Sequence, residues 1–157
     1  LMDVLKNVLI DISEYIAEEN AIVDYDELPV IKGNPLQLSQ LFQNLITNGI
    51  KFHREGVKPH IIIKSYVVSG NDIDSGTADP KHHYIKIDVS DNGIGFEPRF
   101  SDKIFQMFQR LHDRSQFPGT GMGLAICKRV MENHKGFITA SGRPGSGAVF
   151  SCYFPVR

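Results

Sequence analysis

One segment of the chain carries amides and a lysine at helical spacing. Gln37, Gln40, Asn44, Asn48 and Lys51 recur every three or four residues and so share one stripe of a helix. Asparagine is a poor helix former, and two asparagines one turn apart cost about 1 kcal/mol in helix propensity. An amide oxygen suits Mg²⁺ and a lysine ammonium suits phosphate. The stripe therefore indicates a ligand-binding face, with a solvated polar face as the alternative.

A second candidate directly follows a predicted strand. Asp91 is succeeded by Asn92 and by two glycines, Gly93 and Gly95. All of these are turn residues, and a plain β-turn is the simpler interpretation. A carboxylate at a strand end can also accept a hydrogen bond from an exocyclic amine, and glycines let the backbone lie against a flat ring. The segment is therefore suited to holding adenine.

A third candidate is the glycine-rich sequence Pro-Gly-Thr-Gly-Met-Gly-Leu at 118–124, which opens into a predicted helix. Consecutive backbone N–H groups at a helix N-terminus bind anions, and glycines permit close approach of phosphate. The segment lacks the GxxxxGK[ST] pattern of a P-loop and does not open a βαβ unit. It predicts a phosphate loop of another type, although glycine-rich helix entries are common.

These candidates must be positioned by alternating helices and strands. Apolar spacing predicts helices at 3–19, 33–53 and 121–134, with a short helix at 102–108. Strands are predicted at 21–25, 61–68, 84–90, 137–140 and 148–154, the last two joined by a turn at 142–147. The polar stretch 69–81 is predicted to be a long exposed loop. This order implies a mixed sheet with helices on one face, an α+β domain.

Composition excludes several classes of protein. The 157 residues carry a net charge of -1, so binding to nucleic acid is not expected. The two cysteines, Cys127 and Cys152, have no zinc or disulfide spacing, which favours the reducing cytoplasm. No apolar run is long enough to cross a membrane. An amphipathic pattern already present at Leu1 suggests a segment of a longer parent protein, for which a membrane anchor stays open.

Four motifs together resemble the N, G1, F and G2 boxes of sensor histidine kinases, in the same order and spacing. They are NLITNGIKF at 44–52, DNGIGF at 91–96, IFQMF at 104–108 and GTGMGL at 119–124. The resemblance implies one catalytic and ATP-binding domain over 1–157 with the Bergerat-type fold. That fold is an α+β two-layer sandwich in which helices cover one face of a mixed sheet, and ATP lies between the helical layer and a mobile lid.

The resemblance also implies roles for individual residues, with ATP and Mg²⁺ as ligands. Asp91 would bind the adenine amine, and Gly93 and Gly95 would shape the purine pocket. Asn48 would ligate Mg²⁺, with Asn44 beside the metal and the phosphates and Lys51 on phosphate; Asn44 and Lys51 are the predicted catalytic residues. The remaining predicted binding residues are Phe105, Arg114, Gly119, Thr120, Gly121, Gly123 and Leu124.

The segment 97–118 would form the lid. Within it Arg110, His112 and Arg114 could reach the γ-phosphate, and Phe105 and Phe108 are the F-box aromatics, for which core anchoring is as good an interpretation as ligand contact. A solvated loop would also explain the charged lid residues.

Two features of the sequence refine the expected reaction. Hydrolytic relatives carry a glutamate base where Asn44 stands, and an amide cannot accept the proton, so phosphoryl transfer is favoured over hydrolysis. No histidine has the expected context of an acceptor, which is a dimerisation helix in which an acidic residue and then a proline follow the histidine; Asp113 and Pro118 follow His112, but this histidine lies in the predicted lid. We therefore expect the acceptor histidine on a separate dimerisation domain of a homodimeric parent. A response-regulator receiver domain would then take the phosphoryl group, and the isolated chain would not phosphorylate itself.

Two other classes stay open at this point. One is a serine-directed kinase or an ATPase of the same fold. The other is a non-enzymatic nucleotide-sensing or docking module. The complete N, G1 and G2 motifs disfavour the second class, and nucleotide binding would distinguish them.

Overall fold

The computed structural model describes residues 1–73, 76–106 and 123–156. No helix within these ranges combines the length and the apolar character that crossing a bilayer requires. In chain order the elements are α1 (Met2–Asp11), α2 (Ser13–Glu18), β1 (Ile22–Tyr25), α3 (Pro35–Lys51), β2 (His60–Ser69), β3 (His83–Asp91), α4 (Gly123–Asn133), β4 (Phe137–Arg143) and β5 (Gly147–Pro155), with 3-10 turns at Gly70–Asp72, Pro98–Phe100 and Lys103–Phe105.

The five strands form one mixed sheet in the order β1-β2-β3-β5-β4. β1 pairs with β2 in parallel, and the other neighbouring strands pair antiparallel. Asp91, at the end of β3, lies opposite Ile61 of β2 on one side and opposite Ala148 of β5 on the other. The end of β3 therefore lies inside the sheet beside the β4–β5 turn. The sheet and its single helical layer confirm the predicted two-layer α+β class.

α3 carries the predicted ligand face, and its start is fixed by its own sequence. The Asn34 side chain accepts hydrogen bonds from the N–H groups of Leu36 and Gln37, and Pro35 begins the first turn. The opposite side of α3 packs on the core-facing side of the sheet. The buried apolar residues of this layer include Leu38, Leu41, Phe42, Leu45, Ile46, Ile50, Ile61, Ile63, Ile87, Val89, Phe150 and Phe154.

Two predicted helices differ from the structure. The helix predicted over 3–19 is interrupted at Ile12, where φ is -104° and ψ is 15°. No proline or glycine lies between Met2 and Glu18, and Ile12 is buried, so core packing and not local sequence fixes this break. The short helix predicted at 102–108 is a single 3-10 turn, Lys103–Phe105, as far as it is described.

The predicted exposed loop 69–81 is partly folded against the sheet. The buried Gly70 N–H donates to the His82 carbonyl at 2.7 Å, which extends the β2–β3 hairpin. The Asp79 N–H donates to the Tyr84 hydroxyl at 3.0 Å. Most side chains of the loop are exposed, as predicted. Its backbone nevertheless forms hydrogen bonds with neighbouring residues, including the buried Tyr84.

Candidate functional site

Asn44, Asn48 and Lys51 lie on successive turns of α3, and each is half-buried. The Asn44 Nδ2 is buried and has no hydrogen-bond partner in the described part of the chain. An unsatisfied buried amide costs roughly 1–3 kcal/mol, so native proteins retain few of them. The structure thus brings the three predicted residues onto one face of α3. On that face the Asn44 Nδ2 donor has no hydrogen-bond partner among the described residues.

The N-terminus of α4 faces the same amide. A Cβ added to Gly123, the first residue of α4, would lie 3.6 Å from Asn44 Oδ1. Backbone N–H groups and the helix dipole attract anions to such an end. Leu124 is half-buried and packs against the core. The N-terminal end of α4 therefore lies next to Asn44, where a phosphate would be favoured.

Asp91 forms another side of the site. Its Oδ1 accepts hydrogen bonds from the N–H groups of Gly93 at 2.9 Å and Ala148 at 3.3 Å. Burial raises the pKa of the carboxyl to about 6, although these two bonds act in the opposite direction. A Cβ added to Gly49 of α3 would lie 3.6 Å from Oδ2. Oδ2 therefore lies close to α3 at Gly49, the residue that follows Asn48.

Gly93 and Gly95 are required by the packing of the chain on itself. A Cβ on Gly93 would strike the Phe52 carbonyl at the end of α3, and a Cβ on Gly95 would strike the Arg143 carbonyl of β4. Gly95 also has φ +68°, which favours glycine. The loop is held from both sides, because Ile94 N–H donates to the Phe52 carbonyl at 2.9 Å and the Ile94 carbonyl accepts from Gly145 N–H at 2.7 Å. Contact of either glycine with a purine stays a prediction.

The remaining predicted site residues differ in where the structure places them. Lys51 ends α3, and its Nζ is 5.2 Å from the centroid of the Phe52 ring. Phe105 is buried and meets Phe150 edge-on at 6.2 Å, which favours the anchoring role for this F-box aromatic. Several predicted residues lie outside the described part of the chain, namely Phe108, Arg110, His112, Arg114, Gly119, Thr120 and Gly121.

A connection between the segment that follows α3 and the Asp91 loop was not predicted from the sequence. Arg54 Nε donates to the Asn92 carbonyl at 2.9 Å. The Asn92 side chain accepts from His60 N–H and donates to the Lys58 carbonyl, at 2.9 and 3.0 Å. Asn92 thus fixes the start of β2 beside Asp91. In the sequence, only the position of Asn92 next to Asp91 indicated a role for it. The turn propensity of asparagine explained that position equally well.

A metal at this site would depend on amide oxygens and on the ligand itself. Within the described ranges, no three histidine, cysteine, aspartate or glutamate side chains group as a metal site. Mg²⁺ commonly keeps several waters and binds through few protein ligands together with substrate phosphates. Asn48 and Asn44, one turn apart on α3, fit this sparse set of ligands.

Comparison with known proteins identifies the family. Residues 33–157 match the family model described as histidine kinase-, DNA gyrase B-, and HSP90-like ATPase. The chain is 43% identical over 152 residues to cyanobacterial phytochrome A of Nostoc sp., covering 97% of this chain and 18% of the relative. It is 37% identical over 156 residues to phytochrome-like protein Cph1 of Synechocystis sp., covering 99% and 19%. The chain thus spans about a fifth of each relative.

Solved structures share the fold. Full-length ShkA in complex with AMPPNP superposes with a TM-score of 0.74 at 24% identity, covering 98% of this chain and 29% of that one. The catalytic domain of histidine kinase ThkA gives 0.72 at 24% identity, covering 99% and 93%. ThkA in complex with the response regulator TrrA gives 0.69 at 21% identity, covering 99% and 40%. The described fold therefore corresponds to nearly the whole of the solved ThkA catalytic domain.

Proposed function

The chain belongs to the family of histidine kinase-, DNA gyrase B-, and HSP90-like ATPases, and we propose that it is the ATP-binding catalytic domain of a sensor histidine kinase. The observation that carries the proposal is the half-buried Asp91 carboxylate. Its Oδ1 is held by two backbone N–H groups, while no described residue donates to Oδ2. Oδ2 is thus an available acceptor that suits the exocyclic amine of adenine.

The phosphate end of the nucleotide would lie along α3 and the start of α4. The unused Asn44 Nδ2 would donate to a phosphate oxygen, and Lys51 would add positive charge. The N–H groups of the first turn of α4 would face the same oxygens. Mg²⁺, held by Asn48 and Asn44 with the phosphates, would neutralise charge that develops during phosphoryl transfer.

Transfer fits these residues better than hydrolysis. The Asn44 amide cannot accept a proton from an attacking water. The nucleophile would be a histidine on the dimerisation domain of the same parent, a homodimer, and a response-regulator aspartate would then receive the phosphoryl group. The complex of ThkA with a response regulator supports this partner. ATP and this partner would place the domain in the cytoplasm.

Two described histidines, His134 and His60, are engaged elsewhere, and no histidine lies in the dimerisation-helix context expected of an acceptor. His134 Nδ1 lies 2.7 Å from the Val130 carbonyl, and its Nε2 accepts from the Asn34 N–H at 3.0 Å. His60 Nε2 lies 2.7 Å from Asp24. We therefore expect no acid-labile phosphoryl label on the isolated chain after incubation with labelled ATP. Stoichiometric label would refute the proposed separate acceptor.

Calorimetry with ATP, ADP and GTP, with and without Mg²⁺, tests the proposed binding. We expect selective binding of adenine nucleotides that Mg²⁺ strengthens. Asn48→Ala should remove most of the Mg²⁺ effect and leave adenosine affinity unchanged. Gln43→Ala, at an exposed position of the same helix and outside the ligand-binding stripe, is the matched control and should bind as wild type.

Two results would contradict the proposal. Absence of any nucleotide binding would favour a docking module. Sustained ATP turnover by the isolated chain would favour an ATPase of the same family.

A further inference from the structure

A groove of about 510 Å³ lies at the other end of the helical layer. It is bounded by the segment 30–34, by the last residues of α4, by the start of β3 and by the end of β5. α3 reaches it with Gln37 near its first turn, whereas Lys51 is the last residue of the same helix. Its volume falls in the range of ligand pockets. The groove is therefore distinct from the nucleotide site.

The rim of the groove exposes unpaired backbone. Residues Val30 to Lys32 belong to no helix or strand, and their N–H and C=O groups bond no other group in the ranges that the structure covers. Val30 and Lys32 are exposed, and Ile31 between them is half-buried. This alternation is typical of extended chain, which can pair with a peptide through main-chain hydrogen bonds.

The side chains of the groove combine apolar surface with positive charge. The Val30 side chain is 91% exposed on one rim, and Val156 is 46% exposed on the other. Ile85, which is half-buried, also lines the groove and adds apolar surface. Lys32 and Lys135 line the groove, and among the described lining residues none is an aspartate or glutamate. The charge is thus locally positive in a chain whose net charge is -1.

The walls of the groove are held in place. The Asn34 N–H donates to His134 Nε2 at 3.0 Å, which joins the segment 30–34 to the end of α4. The His134 ring packs edge-on against Phe154 at 6.1 Å. A bound peptide would meet a surface that is already formed.

We propose that this groove binds an extended peptide segment of a protein partner, in which apolar residues alternate with acidic residues. The acidic side chains would pair with Lys32 and Lys135. The apolar side chains would cover Val30 and Val156. The main chain of the peptide would form hydrogen bonds with the backbone of residues 30–32. The proposal is independent of nucleotide binding, because it uses none of the residues assigned to that site.

Fluorescence anisotropy with the whole chain tests the groove. The probe is a fluorescein-labelled peptide of eight residues in which valine alternates with glutamate, compared with its valine–lysine counterpart. We expect the acidic peptide to bind about tenfold more tightly than the basic one, and less tightly as salt is raised. Lys32→Glu combined with Lys135→Glu should weaken it about tenfold. Lys64→Glu on β2, outside the groove, should leave it unchanged.

Several results would overturn the proposal. They are equal affinity for both peptides, unchanged affinity in the double variant, or no binding at about 1 mM peptide. A dimer in sedimentation velocity that Val30→Glu abolishes would assign the groove to a second copy of this chain. Circular dichroism and ADP affinity must match wild type in the double variant, which separates loss of the groove from loss of the fold.

Discussion

Asp91 is mostly ionised at neutral pH, although burial raises the pKa of its carboxyl to about 6. The folded chain favours the protonated form, so the contribution of this group to stability grows as pH falls through 6 and is complete below the ordinary value of 3.8. At pH 7.5 ionisation therefore lowers stability by up to about 3 kcal/mol. A carboxyl group whose ionisation lowers the stability of the fold is a candidate member of a ligand-binding site.

Replacing Asp91 by asparagine is therefore expected to stabilise the chain and to impair its function. In Asp91→Asn the amide oxygen can still accept from Gly93 and Ala148, and no buried charge remains. We expect urea unfolding at pH 7.5 to give a free energy about 1–3 kcal/mol higher, with adenine selectivity lost in calorimetry. The stability difference should shrink at pH 5. Unchanged ATP affinity would remove Asp91 from its proposed role.

Adenosine binding should depend on pH through the same carboxyl. Adenosine carries no phosphate to titrate, so it isolates the adenine pocket. Protonation removes the acceptor for the adenine amine, and affinity should fall about tenfold per pH unit below pH 6. Calorimetry between pH 5 and 7.5 measures this, with Asp91→Asn as a variant expected to bind weakly and without this dependence. A flat wild-type profile would contradict the proposed hydrogen bond.

The residue types of the site could be predicted from sequence, but the contacts that give them their properties could not. Spacing placed Asn44, Asn48 and Lys51 on one face of a helix, as the structure shows. The bond from Ala148 to Asp91 joins residues 57 positions apart, and the pKa of Asp91 depends on burial by the whole fold. Such contacts are fixed only when the sheet assembles.

Among the elements, α3 connects both sites, and its N-terminus is capped by sequence and by tertiary contact. Asn34 accepts from two N–H groups of the first turn, while its own N–H donates to His134 at the end of α4. The cap is therefore part of the packing between α3 and α4. Shifting it would move the start of the helix whose later turns carry the proposed nucleotide ligands.

Removing this cap should lower stability by a defined amount. Asn34→Ala leaves two N–H groups unpaired, and we expect the free energy of unfolding in urea to fall by about 1 kcal/mol. Asn34→Asp keeps an accepting oxygen and should remain close to wild type. If Asn34→Asp is destabilised as much as Asn34→Ala, then the loss does not arise from the cap.

Elements with strong local signals were predicted, and those fixed by packing were not. The Gly-Asn-Pro sequence before α3 marked its start within two residues, and β-branched composition and alternation predicted the positions of β2 and β3. The break at Ile12 and the folded loop beyond Ser69 have no local signal, because buried contacts determine both. Strand order and the parallel β1–β2 pair likewise depend on distant partners.

For the whole molecule, the proposed nucleotide site draws on elements distant in sequence. α3, the end of β3, the β4–β5 turn and the start of α4 each contribute, and Gly93 and Gly95 pack the Asp91 loop between α3 and β4. Unfolding any of these elements removes the site. A bound nucleotide should therefore stabilise the domain as one unit.

Thermal unfolding measures this coupling directly. ADP with Mg²⁺ at about 100 times its Kd should raise the free energy of unfolding by about 2.7 kcal/mol. For a domain of this length the shift in Tm would be roughly 5–11 °C. GTP at the same concentration should shift Tm little, and Asp91→Asn should respond much less to ADP because its adenine contact is altered. Equal shifts with ADP and GTP would mean that phosphate contacts alone bind the nucleotide, and that Asp91 does not select adenine.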